Sequence, residues 1–189
     1  MRPAPGIPDE EFIREEGIPM TKAEVRAVVV SKLKVGPGDR MLDVGCGTGS
    51  VAVEAALMGA WVYAMDKNPR AVELTARNAA KFGVADRVKA EVEEAPRDFA
   101  KAGGPFDAVF IGGGGRDIAD VVKAALSLVK PGGRLVVDVA TLETLSRLVP
   151  LLEEVRHEVV LVQIARGRRV GGYTLLSPLN PVYVVTIWP

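Results

Sequence analysis

Met41-Leu42-Asp43-Val44-Gly45-Cys46-Gly47-Thr48-Gly49-Ser50-Val51 is the stretch from which the rest of the chain can be read. Apolar residues run to an aspartate, glycines follow at alternate positions, and Ser50 opens a segment with helical spacing. A strand that passes through a glycine turn into a helix is the first unit of a doubly wound α/β sheet, whose ligands lie at the carboxyl ends of the strands. Glycines permit positive φ and strip the turn of side chains, so backbone N–H groups approach a polar ligand closely. The helix N-terminus adds partial positive charge, which favours a carboxylate.

Outward from this unit the chain alternates. Short runs rich in β-branched residues at 40–44, 61–65, 87–92, 106–111 and 134–139 predict buried parallel strands. Helical periodicity fills 50–58, 69–82, 116–129 and 142–154. Asn68-Pro69 is a cap with proline in the first helical position, and Lys130-Pro131-Gly132-Gly133 is a helix stop. This alternation predicts a Rossmann-like, mostly parallel sheet of seven strands with helices on both faces. Residues 157–165 and 181–188 read as two strands with no helix between them, joined by a loop from Gly167 to Asn180. Two such strands are antiparallel if they pair. Upstream, Thr21-Lys22-Ala23-Glu24 matches a capping box for a helix over 21–34. Residues 1–19, with four prolines and two glycines, predict an irregular arm on a single domain spanning 1–189.

The totals narrow the function. Lys and Arg number 24 and Asp and Glu 24, so no overall field favours nucleic acid or a membrane surface. Cys46 is the only cysteine, which rules out an intrachain disulfide and speaks against a metal site. No run resembles a signal peptide or a membrane span, and the expected location is the cytoplasm. Arginine is concentrated at the end: Arg156, Arg166, Arg168 and Arg169 face a single Glu158 from residue 156 onward. That local excess suits either an anionic ligand or a solvated surface.

Glycines 45, 47 and 49 do not make a dinucleotide fingerprint, which needs glycine or alanine where Ser50 stands, and no Lys-Ser/Thr pair makes a P-loop. A strand ending in Asp43, this loop, and a second strand ending in Asp66 instead fit S-adenosylmethionine. Asp66 can accept from both ribose hydroxyls, or it can be an exposed turn residue. Ala95, in Glu93-Glu94-Ala95-Pro96, suits the approach of an adenine ring, and an acidic loop explains the same residues equally well. Gly112-Gly113-Gly114-Gly115 would put bare backbone beside the methyl group. The Asn/Asp-Pro-Pro-Tyr/Phe sequence of adenine and glutamine methyltransferases is absent there. His157 reads as structural, and Cys46 as a small spacer.

The chain resembles the precorrin carbon-15 methyltransferase (decarboxylating) family of cobalamin biosynthesis. The likeness is carried by Gly6-Ile7-Pro8-Asp9-Glu10-Glu11-Phe12, Pro19-Met20-Thr21-Lys22, Glu24-Val25-Arg26, the glycine loop, Phe110-Ile111-Gly112-Gly113 and Asn180-Pro181-Val182. It spans nearly the whole chain, and the N-terminal motifs are the specific ones. It implies a homotetramer and a tetrapyrrole substrate of the cobalt-precorrin kind. It also implies cofactor contacts from Thr21, from Gly45, Cys46, Gly47, Thr48 and Gly49, from Asp66 and from Ala95. Asp43, which opens the loop, joins the candidate cofactor residues on the reading of the strand and turn above. Arg168 and Arg169 have no counterpart in the matched motifs. Their candidacy as clamps for substrate carboxylates rests on charge alone. An RNA or protein methyltransferase on the same scaffold, or a nucleoside-binding module without turnover, remains the competing reading.

Overall fold

The protein is described here by a computed structural model covering residues 5–113 and 115–189. A 3-10 turn at Asp9–Glu11 precedes α1 (Ala23–Leu33), β1 (Arg40–Val44), α2 (Ser50–Leu57), β2 (Trp61–Asp66), α3 (Pro69–Lys81) and β3 (Val88–Val92). Then come α4 (Phe99–Ala102), β4 (Phe106–Gly112), α5 (Ile118–Leu126), β5 (Val129–Val139), α6 (Leu142–Leu152) and β6 (Arg156–Val162). The chain closes with β7 (Ala165–Val170), β8 (Tyr173–Pro178) and β9 (Val182–Trp188).

Seven strands form one sheet in the order β3-β2-β1-β4-β5-β9-β6. β1 pairs in parallel with both β2 and β4, so the chain winds outward from β1 on one side and resumes on the other. That reversal opens a crevice above the ends of β1 and β4. Side chains alternate across the sheet as a pleat requires. Met41, Ala108 and Phe110 join the apolar layer under α1 and α2. Leu42, Val44, Val109 and Ile111 join the layer under α5 and α6.

β9 is antiparallel to both of its neighbours and inserts between β5 and β6. The chain between β6 and β9 is not a loop. β7 and β8 pair antiparallel as a separate two-stranded hairpin. Val170, Thr174 and Tyr173 give it the β-propensity that the arginines and glycines obscured, and Gly171 and Gly172, both at positive φ, make its tip. The helix read to residue 129 ends at Leu126, and Lys130 to Gly133 belong to the irregular first half of β5.

The capping box is also corrected. The N-cap of α1 is Lys22, without a side-chain bond. Ala23 N–H donates to Asp9 Oδ1 at 2.9 Å, so the cap comes from the arm. Glu24 turns away to Arg166, whose Nε donates to it at 2.8 Å. Asp9 wins this contest because it is held in place from beneath. Arg26, fully buried, ion-pairs with Asp9 at 3.4 Å and with Glu54 at 2.6 Å. It also donates to the carbonyls of Ile7 and Thr21. Glu54 in turn accepts the N–H groups of Gly6 and Ile7, each at 2.9 Å. The arm is thus irregular, as its prolines predict, yet tied to α1 and α2 by buried charge.

Candidate active site

Two cavities meet over the crevice, and Pro19, Gly45, Gly112 and Gly113 line both. The smaller, about 360 Å³, lies over the ends of β1, β2 and β4 and includes Asp66, Glu93 and Ala95 in its walls. The larger, about 530 Å³, is mostly apolar and is bounded by Thr21, Lys22, Asp138, Ile164, Leu179 and Asn180. Gly114 lies outside the described residues, so the run read at 112–115 can be placed only at Gly112, Gly113 and Gly115.

The glycine loop is shaped by contact with its own chain. A Cβ on Gly45 would stand 2.7 Å from the carbonyl oxygen of Gly112. One on Gly47 would stand 2.6 Å from that of Pro19, and one on Gly49 would stand 2.7 Å from Thr75. All three glycines have positive φ. Of the loop, Gly45 faces the cavities, while Cys46, Gly47, Thr48 and Gly49 lie buried behind it. Thr48 N–H donates to the Pro19 carbonyl, fastening the arm to the loop. Cys46 Sγ accepts from Thr75 Oγ1, and burial pushes its thiol pKa upward, which removes any nucleophilic role.

Asp66 closes β2 with both oxygens engaged by backbone: Oδ2 accepts from Gly47 N–H at 3.1 Å and Oδ1 from Asn68 N–H at 2.9 Å. These bonds fix the carboxylate at the cavity wall, and each oxygen keeps lone-pair capacity for a ribose hydroxyl. Asp66→Ala is expected to weaken S-adenosylmethionine binding by about 1.5–3 kcal/mol, the range for hydrogen bonds to a charged group. Calorimetric affinity equal to the parent's would show that Asp66 does not bind the ribose. Beside it, the Tyr63 hydroxyl bridges both oxygens of buried Glu93 at 3.1 Å. Burial first, and Glu93 second, push the Tyr63 pKa up to about 12.

Asp43 is 1% exposed, and neither of its carboxylate oxygens has a hydrogen-bond partner among the described residues. Burial, then the charges of Asp66 and Asp138, push its pKa up to about 8. A carboxyl that its surroundings keep protonated is a seat for positive charge, because a nearby cation stabilises its ionised form. The donor set therefore fits S-adenosylmethionine: acids beside a cavity of nucleoside size, facing a ligand with an ammonium and a sulfonium.

Asp138 escaped the reading of the sequence. It stands near the end of β5, where Oδ1 accepts from Gly113 N–H at 2.9 Å and Oδ2 from Thr21 Oγ1–H at 3.1 Å. Burial raises its pKa. Its signal was available: an acid late in the fifth strand, as Asp43 and Asp66 are late in the first and second. Thr21, freed from capping, thus joins the site through Asp138. His157 is exposed and leans on the Val155 carbonyl, and Arg168 and Arg169 are exposed on the hairpin rather than in a cavity wall. Among the described residues, no group of His, Cys, Asp or Glu is placed to hold a metal ion, and no helix is long and apolar enough to cross a membrane.

The family model for the precorrin methyltransferase domain matches residues 11–188. The chain belongs to the precorrin methyltransferase family. It is 53% identical over 189 residues to a Pyrobaculum aerophilum protein named probable cobalt-precorrin-6B C(15)-methyltransferase (decarboxylating), covering 97% of this chain and 96% of that one. Among solved structures, precorrin 8W decarboxylase from Methanobacterium thermoautotrophicum superposes with a TM-score of 0.89 at 33% identity, over 96% of this chain and 98% of that one. Precorrin-6y C5,15-methyltransferase from Geobacter metallireducens gives 0.88 at 34%, over 99% and 97%. The seven-stranded, mostly parallel sheet with its antiparallel β9 is the fold of the class I methyltransferases.

Proposed function

We propose that this protein methylates carbon 15 of a cobalt-precorrin-6B-like tetrapyrrole and removes the carboxyl group of its ring C acetate. The observation that carries the reading is the pair of cavities, acidic and nucleoside-sized on one side and apolar on the other, joined across bare backbone at Gly45 and Gly112. The Pyrobaculum relative is named for cobalt-precorrin-6B, and the solved neighbours are named for other precorrins, which supports a substrate of this class.

Bound S-adenosylmethionine would supply a methyl group already activated on a sulfonium. The chain's task is placement and exclusion of water. Asp66 would hold the ribose, Ala95 would leave room for the adenine, and Asp43, neutral behind the loop, would ionise only as the cofactor's positive charge favours that form. Gly45 and Gly112 keep side chains out of the space between the cavities, so the acceptor carbon and the methyl group can align. The apolar walls from Val25, Ile164, Leu179 and Val182 receive the macrocycle face. Incubation with S-adenosylmethionine and cobalt-precorrin-6B, followed by mass spectrometry, tests this reading. The product should gain one methyl and lose carbon dioxide. Methylated RNA or protein instead, or cofactor binding without any turnover, would reject it.

The hairpin rises from the rim of the larger cavity, whose lining includes Ile164 before β7 and Pro178, Leu179 and Asn180 at its end. Among the described residues Arg168 and Arg169 have no acidic partner, and we assign them to steering a polycarboxylate substrate. Arg168→Ala with Arg169→Ala is expected to raise the Michaelis constant for the tetrapyrrole at low salt while leaving cofactor affinity unchanged. An unchanged Michaelis constant in a variant of intact assembly would end the clamp. The hairpin also exposes Tyr173 at 76% and Leu176 at 73%, a surface suited to the homotetramer that the family resemblance implies. Dissociation of the double variant on a sizing column would assign the arginines to that interface instead.

A further inference from the structure

Loss of carbon dioxide leaves an exocyclic carbon that must take up a proton, and the larger cavity holds few groups able to carry one. Of the described residues lining it, Lys22 and Asp138 alone are titratable. Lys22 is exposed on the arm, whereas Asp138 faces the cavity from β5 with both oxygens anchored. On the tetrapyrrole reading above, we propose that Asp138 is the acid that protonates the acetate-derived carbon as its carboxylate departs.

The step balances. The bond between the acetate methylene and its carboxylate breaks, carbon dioxide leaves, and the bonding pair passes into the conjugated macrocycle. The pair returns to the methylene carbon as a C–H bond made with the Asp138 proton. The side chain becomes a methyl group, Asp138 is left as a carboxylate, and solvent at the open mouth of the cavity recharges it. No oxidant or reductant is required.

The surroundings of Asp138 suit an acid that must be both charged and neutral in one cycle. Thr21 donates its hydroxyl proton to the carboxylate, and the same oxygen accepts when Asp138 carries the proton, so the 3.1 Å contact serves both states. Gly113 N–H donates to the other oxygen in either state. Burial favours the neutral form. The charged groups around it are Asp43 on β1, Lys22 on the arm side, and Arg116, Glu143 and Arg147, which share a neighbouring hollow with it. This arrangement also explains why the arm belongs to the site: it delivers Thr21 to a residue 117 positions away.

The test uses Asp138→Asn and Asp138→Glu in the full chain, with S-adenosylhomocysteine affinity measured by calorimetry and carbon dioxide release measured in a single turnover with cobalt-precorrin-6B. Asp138→Asn should bind S-adenosylhomocysteine as the parent does while releasing carbon dioxide about 10²-fold more slowly or worse, the scale of one general acid. Parent turnover should fall as pH rises through the titration of Asp138, because the protonated form is the active one. That limb should vanish in Asp138→Asn and persist in Asp138→Glu, a distinction that a merely structural role would not produce. Release at the parent's rate by Asp138→Asn, or retention of the parent's pH limb, overturns the assignment. Loss of S-adenosylhomocysteine binding overturns it too and makes Asp138 a cofactor residue. A parent that binds S-adenosylhomocysteine yet leaves the tetrapyrrole unchanged is a separate result: it refutes the substrate reading, and the proposal falls with it.

Discussion

Arg26→Met is expected to lower the unfolding free energy by about 3–5 kcal/mol, the cost of removing one partner from a buried ion pair. Arg26 is fully buried between Asp9 and Glu54, and both carboxylates are themselves buried. Without the guanidinium, buried Glu54 faces only the N–H groups of Gly6 and Ile7, Asp9 keeps only Ala23 N–H and the more exposed Arg166, and the carbonyls of Ile7 and Thr21 lose their donor. Methionine fills part of the volume and satisfies none of these groups. Urea unfolding of the parent, Arg26→Met, and the triple variant Arg26→Met/Asp9→Asn/Glu54→Gln separates charge from packing. The triple variant should recover a large share of the loss, because neutral amides keep several of the hydrogen bonds without the repulsion. A single variant as stable as the parent would show that the cluster is solvated rather than buried.

Gly47→Val is expected to abolish S-adenosylmethionine binding and to release the N-terminal arm at the same time. The sequence suggests only that a β-branched side chain would occupy the ligand's space while the fold stays intact. The geometry assigns the damage elsewhere. The new Cβ would meet the Pro19 carbonyl at 2.6 Å, and the φ of +56° is one that valine strongly disfavours. Pro19 also accepts from Thr48 N–H and walls both cavities, so moving it deforms the loop and unseats Thr21 from Asp138. Limited proteolysis should therefore cut the segment around residues 13–20 faster in the variant, alongside the loss of calorimetric binding. Binding lost with an arm as resistant as the parent's would return Gly47 to direct ligand contact. Retained affinity would reduce the loop to a structural turn.

The parts of this protein that its sequence determined are those written in short-range pattern. Alternating and continuous apolar runs gave four of the five parallel strands to within a residue or so of their observed ends and the second half of β5, whose irregular start at Val129 to Gly133 was read as a helix end and stop. The glycine loop was legible because Asp43, Gly45, Gly47 and Gly49 are consecutive in space as they are in the chain. Asp66 was legible because it closes the next strand and lies at the crevice by topology alone. The resemblance carried by Gly6 to Phe12 and Pro19 to Arg26 chose the family without showing what those residues do.

Their work became visible only in three dimensions. The cap of α1 was read as Thr21, a neighbour in sequence, yet Asp9 supplies it because buried Arg26 fixes Asp9 where the helix begins. Thr21 bonds Asp138, 117 residues away, and Arg166 reaches Asp9 across 157. The hairpin of β7 and β8 hid behind its arginines and glycines, and the insertion of β9 between β5 and β6 left no trace in spacing. Each of these depends on which distant groups burial brings together. A carboxylate caps a helix, as Asp9 does, or walls a cavity, as Asp66 and Asp138 do, according to the partners around it, and the folded chain alone provides those.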